Sequence, residues 1–199
     1  MSERVSLKEH IINKKNNFIA GWYLSDKDLC KNLIDFFEKS NNKSEGRVGD
    51  DKIDKLRKDS TDVSLNISLK EPLTKEYIKN LSLVLEKYKE MYKYVDHPQD
   101  SWGITENFNI QRYLPNQGFH AYHTERDGLN SSLRHLTFMT FLNDVNDGGE
   151  TEWYYQKLKV KPETGLTLIW GTDWTFTHRG IPSKTEKKYI VTGWYSYIK

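Results

Sequence analysis

Cysteine and long apolar runs are nearly absent from this 199-residue sequence, and each absence excludes a class of protein. Cys30 is the single cysteine, so an internal disulfide is excluded and a reducing compartment is expected. No stretch approaches the roughly 20 apolar residues that a membrane-spanning helix needs, and residues 1–5 lack the apolar core of a signal peptide. The sequence therefore predicts a cytoplasmic protein with no membrane partner.

An excess of charge of one sign is also missing. The 30 Lys and Arg residues are balanced by 28 Asp and Glu residues, which gives a net charge of +2. The basic residues are dispersed among acidic ones, so the sequence does not favour nucleic acid as a partner. Aromatic residues, in contrast, make up 13% of the chain, which is typical of a globular protein rather than a disordered one.

The patterning predicts one α+β, mainly β domain over residues 1–199. Residues 1–17 form a polar N-terminal segment, residues 18–103 mix helices with a strand, and residues 104–199 contain short apolar or alternating runs separated by turn residues. Many short strands without intervening helices predict an antiparallel sandwich or barrel, so we expect a jelly-roll core buttressed by N-terminal helices. The predicted core strands are 108–113, 119–123, 136–142, 151–155, 166–170, 175–178 and 188–197.

Two helices and one strand are predicted in the supporting half. Ser25 is the expected N-cap of the first helix, with Asp28 in the capping-box position, and Leu29 begins its apolar stripe. Strict alternation over residues 62–69 predicts a half-buried strand, and a second helix is expected from about residue 74 to residue 92. We expect both helices to pack on a sheet.

Three potential metal ligands stand out in the core. In a strand, residues at i and i+2 point to the same face, so His123 and Glu125 can converge on one ion. His178 would arrive from another strand. Two His and one carboxylate with open coordination positions form the facial arrangement of non-haem Fe(II) oxygenases. Alone, each part is a weak signal, because a surface pair on a strand and a structural histidine are both common.

Lys188 adds to this pattern. Period 2 places Lys188, Ile190, Thr192 and Trp194 on one face of the last strand, whereas Lys187 points to solvent. A lysine on an apolar face must reach solvent or meet an anion, because an unpaired buried ammonium is costly. If this face is the barrel interior, a bound carboxylate is the natural partner. The plainer alternative is a lysine at the sheet edge whose amine reaches water.

Residues 108–198 resemble the catalytic core of 2-oxoglutarate- and Fe(II)-dependent dioxygenases of the prolyl 4-hydroxylase-like group. The resemblance covers about half of the chain. No single motif is specific, but their order and spacing together are. The matching motifs are Tyr113, Gly118-Phe119, His123-Thr124-Glu125, 141–144, 148–151, Pro162 with Gly165, 178–182, and Lys188-Tyr189 through Trp194.

The resemblance implies a double-stranded β-helix (jelly-roll or cupin-like) fold and an oxidoreductase that uses Fe(II), 2-oxoglutarate and O2, with ascorbate as reductant. In this chemistry 2-oxoglutarate is decarboxylated to succinate and CO2 while an unactivated carbon of the substrate is hydroxylated. The implied substrate is a prolyl residue in a peptide or protein. A free amino acid or other small metabolite is the alternative substrate. A non-catalytic jelly-roll binding protein with a decayed metal site is the alternative function.

The same resemblance implies roles for individual residues. His123, Glu125 and His178 would bind Fe(II), and Lys188 would pair with the distal carboxylate of 2-oxoglutarate. The other positions that would bind or surround the cosubstrate are Tyr113, His120, Thr151, Thr192 and Trp194.

Two positions depart from the family pattern. Glu125 stands where the family usually has Asp, so its carboxylate must fold back or the metal must shift, although functional sites tolerate errors of only about 0.5 Å. His120 stands where the family often has an aromatic hydroxyl. It would bond 2-oxoglutarate as an imidazole or, as the less favoured alternative, form a zinc-like pair with His123, whose side chain faces the opposite way on a strand.

Other residues have both a functional and a plain interpretation. Asp127 is an alternative carboxylate, but residues 126–128 have the composition of a turn. Arg179 would meet either an acidic substrate group or water. The polar segments 44–58 and 125–132 are predicted lids near the mouth of the barrel. The remaining aromatic residues, which would line a substrate groove or pack the barrel, are Trp153, Tyr154, Tyr155, Trp170 and Trp174.

Overall fold

The computed structural model describes residues 6–12, 17–49, 52–67, 71–97 and 99–198. The helices are α1 (Lys27–Lys39) and α2 (Pro72–Met91), and neither has the length and apolar character needed to cross a bilayer within the described residues. The strands are β1 (Glu9–His10), β2 (Ala20–Tyr23), β3 (Ser44–Glu45), β4 (Thr61–Leu65), β5 (Trp102–Gly103), β6 (Phe108–Tyr113), β7 (Phe119–His123), β8 (Arg134–Phe141), β9 (Thr151–Trp153), β10 (Leu158–Val160), β11 (Leu166–Gly171), β12 (His178–Gly180) and β13 (Lys188–Tyr197).

The strands form a large and a small antiparallel sheet. The large sheet has nine strands within the described residues, in the order β1-β2-β11-β8-β13-β6-β4-β3, with β5 paired to β13. The small sheet has the order β10-β9-β12-β7. This two-sheet jelly roll confirms the predicted double-stranded β-helix, supported by two N-terminal helices. The division of the chain at residues 17 and 103 stays a prediction.

The large sheet has a hydrophobic core on each face. Side chains alternate between the faces of a strand, so Phe138 joins the core under the helices while Met139 joins the core between the sheets. On β13, Val191 and Ile190 divide in the same way. Because both faces are covered, residues of both parities are buried along the central strands β8, β11 and β13. The helices contribute Leu29, Leu33, Phe37, Tyr77, Leu81, Val84 and Tyr88 to the first core.

The start of α1 differs from the prediction. Asp26, not Ser25, is the N-cap, because its Oδ1 accepts the backbone N–H groups of Asp28 at 2.9 Å and Leu29 at 3.3 Å. The Ser25 hydroxyl instead donates to Asn80 Oδ1 on α2 at 3.3 Å. The predicted cap and capping box are therefore wrong. Ser and Asp cap helices about equally well, so a helix start shifted by one residue is not decided by local sequence.

The strand boundaries are confirmed in part. β6, β7 and β13 have the predicted bounds, but the strand predicted over 62–69 ends at Leu65, and residues 68–70 lie outside the described part of the chain. The strand predicted at 175–178 is wrong. Trp174–Phe176 is a 3₁₀ turn, closed by the Phe176 N–H donating to Asp173 O at 2.8 Å, and β12 starts only at His178.

Candidate active site

A cavity of about 1270 Å³ is lined by residues of both sheets. The inward-facing residues of β6 and β13 form one wall, and residues of β7, β9 and β12 form the other. The predicted parity of β13 is confirmed, since Lys188, Ile190, Thr192 and Trp194 line the cavity while Lys187 is exposed. The predicted site residues that line it are Tyr113, His123, Glu125, Thr151, His178, Lys188, Thr192 and Trp194.

His120 is the predicted site residue that the structure does not bring to this cavity. On β7, Phe119 and His123 line the cavity, and His120 has the opposite parity, so its side chain lies on the other face of the strand. This position corrects its predicted contact with 2-oxoglutarate. It also removes the zinc-like pair, because the group of potential ligands around His123 contains Glu125 and His178 instead.

The three predicted metal ligands meet in the wall formed by β7 and β12. His178 lies directly opposite His123 in the strand register, and their ring centroids are 4.3 Å apart. Glu125 follows the end of β7 and places Oε1 at 3.2 Å from His178 Nε2 and 3.7 Å from His123 Nε2. One ligand atom from each residue lies within 4.8 Å of the other two.

Hydrogen bonds on the far side of each imidazole fix the orientation of its ring. His123 Nδ1 lies 3.1 Å from Ala121 O, and His178 Nδ1 lies 2.9 Å from Phe176 O. A carbonyl oxygen only accepts, so each Nδ1 carries a proton, which leaves Nε2 of the neutral ring as a lone-pair donor. Metal-binding histidines are usually held in this manner. With the carboxylate of Glu125, the donor set fits a divalent metal such as Fe(II).

The protonation states of the cluster also suit a metal. Burial, with the nearby His178, lowers the pKa of His123 to about 3. Burial alone would raise the pKa of Glu125, but its contacts with His178 and His123 lower that pKa to about 2. At neutral pH His123 is uncharged and Glu125 is ionised, which are the states a cation requires.

Lys188 presents a cation to the same cavity. It is only 3% exposed and lies opposite Tyr113 in the register of β13 and β6, with Nζ 5.0 Å from the centre of the Tyr113 ring. Nζ donates to the carbonyl of Gly149 at 2.9 Å. Burial lowers the pKa of Lys188 to about 8, against an opposing effect of Glu150. A neutral carbonyl does not balance a buried ammonium, so a carboxylate is a fitting ligand.

The cavity hydroxyls already have partners within the protein. Tyr113 donates to Gln111 Oε1 at 2.7 Å, and Thr192 donates to the carbonyl of Phe138 at 3.2 Å. The Thr151 hydroxyl lies 3.8 Å from the sulfur of Met139. Each hydroxyl must therefore rotate to donate to a bound anion, so their predicted roles toward 2-oxoglutarate stay predictions.

The cavity wall also contains a buried ion pair that was not predicted from the sequence. Lys58 Nζ donates to Asp62 Oδ2 at 2.8 Å, with both side chains less than a tenth exposed. Ser60 donates to the other carboxylate oxygen at 2.7 Å. The i,i+4 spacing of Lys58 and Asp62 can be read from the sequence, but there it indicates a pair on a helix surface, whereas in the structure it spans the start of a strand.

Parts of the two predicted lids, 44–58 and 125–132, line the same cavity. Their movement stays a prediction.

The remaining candidates lie outside the metal cluster. Trp153 and Trp170 are buried and pack against the His178 ring, with centroids 6.1 and 5.2 Å away, as barrel packing predicts. Arg179 donates to Glu152 at 2.7 Å. Asp127 is exposed and accepts from the Ser131 hydroxyl. The aromatic residues Tyr154, Tyr155 and Trp174 are exposed.

Comparisons with known proteins agree with this geometry. The profile of the family described as the 2OG-Fe(II) oxygenase superfamily matches residues 108–196. Prolyl 4-hydroxylase 13 of Arabidopsis thaliana is 33% identical over a stretch that covers 45% of this chain and 42% of that protein. The chain therefore spans less than half the length of this curated relative.

Two solved structures share the fold. The viral collagen prolyl hydroxylase of Paramecium Bursaria Chlorella virus-1, in its 2OG complex, has a TM-score of 0.67 at 19% identity, covering 96% of this chain and 100% of that chain. A prolyl hydroxylase of Trichoplax adhaerens, in complex with a hypoxia inducible factor peptide fragment, has a TM-score of 0.71 at 16% identity, covering 91% and 84% of the two chains.

Proposed function

We propose that this protein, whose residues 108–196 match the 2OG-Fe(II) oxygenase superfamily, is a member of that superfamily and hydroxylates a prolyl residue in a peptide or protein. One observation carries the proposal: a cluster of two histidines and a carboxylate shares a cavity with a buried lysine ammonium. His123, Glu125 and His178 would hold Fe(II), and Lys188 would bind the distal carboxylate of 2-oxoglutarate. The proposal includes ascorbate as the reductant and a cytoplasmic location.

In this proposal the residues of the chain bind and orient the metal and the cosubstrate, and they exclude water from the site. When bound, Fe(II) supplies the activation of O2 that couples decarboxylation of 2-oxoglutarate to hydroxylation. The two histidines present Nε2 in a fixed orientation, because Ala121 and Phe176 hold Nδ1. The buried Trp153 and Trp170 exclude water behind His178. Exclusion of water strengthens the electrostatic interactions of the site.

The size of the cavity favours an extended substrate. Small-molecule sites usually enclose about 300 to 1,000 Å³, whereas this cavity has about 1270 Å³. Both predicted lid segments contribute residues to its lining. A peptide that lies against these segments would fill this space better than a free amino acid. The Trichoplax structure, which contains a peptide, supports the same choice by analogy.

The direct test is turnover with matched peptides. The purified protein is loaded anaerobically with Fe(II), supplied with 2-oxoglutarate, ascorbate and a peptide that contains one proline, and then exposed to O2. We expect succinate and a peptide that has gained one oxygen atom on the proline, located by fragment mass spectrometry. The control is the same peptide with Ala in place of Pro. Oxidation of free amino acids alone would favour the small-metabolite alternative, and absence of metal binding would favour a binding protein.

The burial of Lys188 predicts a pH dependence of 2-oxoglutarate binding. The dianion binds the protonated lysine, and burial lowers the pKa of this lysine to about 8. Affinity is therefore expected to be constant from pH 6.5 to about pH 8 and then to fall by up to about tenfold per pH unit. His123 and Glu125, whose pKa values are lowered to about 3 and about 2, do not titrate in this range.

The measurement is calorimetric titration of the Mn(II)-loaded protein with 2-oxoglutarate under anaerobic conditions between pH 6.5 and 9.5. Lys188→Arg is the matched variant, because a guanidinium stays protonated over this range. A decline of equal slope in Lys188→Arg would show that another group titrates and would contradict the assignment to Lys188.

A further inference from the structure

We infer that Trp194 is a positioning residue for Glu125. Its indole N–H holds one carboxylate oxygen, so that the long side chain presents the other oxygen to the two histidines. This inference rests on the proposed function, because it assumes that a metal ion lies between these three residues. The sequence predicted that Trp194 lines the cosubstrate pocket and gave no sign of this contact.

The two oxygens of Glu125 have different partners. Trp194 Nε1 donates to Oε2 at 2.8 Å, whereas Oε1 is the atom that lies 3.2 Å from His178 Nε2 and 3.7 Å from His123 Nε2. Oε2 is thus the oxygen that Trp194 orients, and Oε1 is the oxygen that faces the two histidines. A glutamate has one more side-chain torsion than an aspartate, so ordering it costs more conformational entropy. The indole N–H restricts that torsion before a metal binds.

The Trp194 indole is itself held in place by Arg134. The guanidinium of Arg134 lies 3.4 Å from the centre of its ring. The same guanidinium donates to the backbone carbonyl of Glu125 at 2.9 Å and is held by two hydrogen bonds to Glu106, at 3.0 and 2.8 Å. Arg134 therefore fixes both the indole and the backbone of Glu125. Ser196, also on β13, donates to Glu106 at 3.3 Å and completes the support.

This support is matched to glutamate and not to aspartate. An aspartate at position 125 would be shorter by one carbon–carbon bond, about 1.5 Å. From the same backbone position it would not reach Trp194 Nε1 and the space between the histidines together. Glu125 is therefore not a sign of decay. The longer acid and the indole N–H form one unit, and changing Glu125 to aspartate should weaken the metal site instead of improving it.

The test removes the indole N–H and keeps a ring. Trp194→Phe leaves an aromatic face for Arg134, and metal affinity is measured by titration with Co(II) against a competing chelator, without 2-oxoglutarate or O2. Loss of a hydrogen bond that orients a metal ligand typically lowers affinity by about 10- to 100-fold, and we expect that loss together with a changed Co(II) absorption spectrum. Trp22→Phe is the control, because Trp22 is buried in the core under the helices.

A second variant makes the test specific and covers a failure of Trp194→Phe to fold. Glu125→Asp should weaken Co(II) binding in the wild-type background. It should weaken binding less in the Trp194→Phe background, because the contact between the indole and residue 125 is already absent there. Wild-type affinity and spectrum in Trp194→Phe, or tighter binding by Glu125→Asp, would overturn the inference alone. Failure of the wild type to bind Co(II) would overturn the proposed function as well.

Discussion

Lys188→Met is expected to raise the 2-oxoglutarate concentration for half-saturation by roughly 30- to 4,000-fold, because removing one partner of a buried charge pair costs about 2 to 5 kcal/mol. Lys188 is only 3% exposed and has the carbonyl of Gly149 as its described hydrogen-bond partner, so it is the cation that would face the distal carboxylate. Methionine keeps a flexible chain of similar length. The measurement is KM for 2-oxoglutarate at saturating Fe(II), with Mn(II) affinity measured separately and expected to be unchanged.

Thermal unfolding separates this role from a structural one. Without a bound anion, the buried ammonium costs desolvation that one carbonyl does not offset. Lys188→Met should therefore unfold at the wild-type temperature or above it in the absence of cosubstrate. Lys187→Met is the matched control, since Lys187 is adjacent and exposed, and its KM should not change. A strongly destabilised Lys188→Met with unchanged KM would identify Lys188 as a structural residue.

The parts of the site that depend on strand parity were predictable from the sequence. A period of 2 puts Lys188, Thr192 and Trp194 on one face of β13 whatever the neighbouring strands are, and the structure has all three lining the cavity. The same rule should have removed His120 from the site, because it lies three residues before His123. The family resemblance favoured His120, and strand geometry decides against it.

The parts that depend on contacts between distant residues were not predictable. The bond between Trp194 and Glu125 joins the end of β7 to β13, across 69 positions of the sequence. Arg134 and Glu106 meet across 28 positions, and neither carries a local pattern that distinguishes it from a surface charge. Position 26 illustrates a local failure, since Asp26 and the neighbouring Ser25 are equally good caps and only the contact of Ser25 with α2 separates them.

His178→Leu is expected to abolish both turnover and the stabilisation of the fold by Mn(II). A ligand at 100 times its Kd contributes about 2.7 kcal/mol, which for a chain of this size raises Tm by roughly 5 to 10 °C. In the wild type that rise should be seen by calorimetry. His178 supplies one of three ligand atoms, and its loss leaves Glu125 and one imidazole. Leucine keeps apolar contact with Trp153 and Trp170, so the metal-free variant should fold.

His120→Leu is the matched control for the metal site, because the same substitution is made on the face of β7 that does not line the cavity. We expect it to keep the full Mn(II)-dependent rise in Tm. A lost rise in His120→Leu with a retained rise in His178→Leu would restore the zinc-like pair of His120 and His123 and would contradict the metal site. Loss in both variants would mean that His120, on the other face of β7, helps to hold His123 in its position opposite His178.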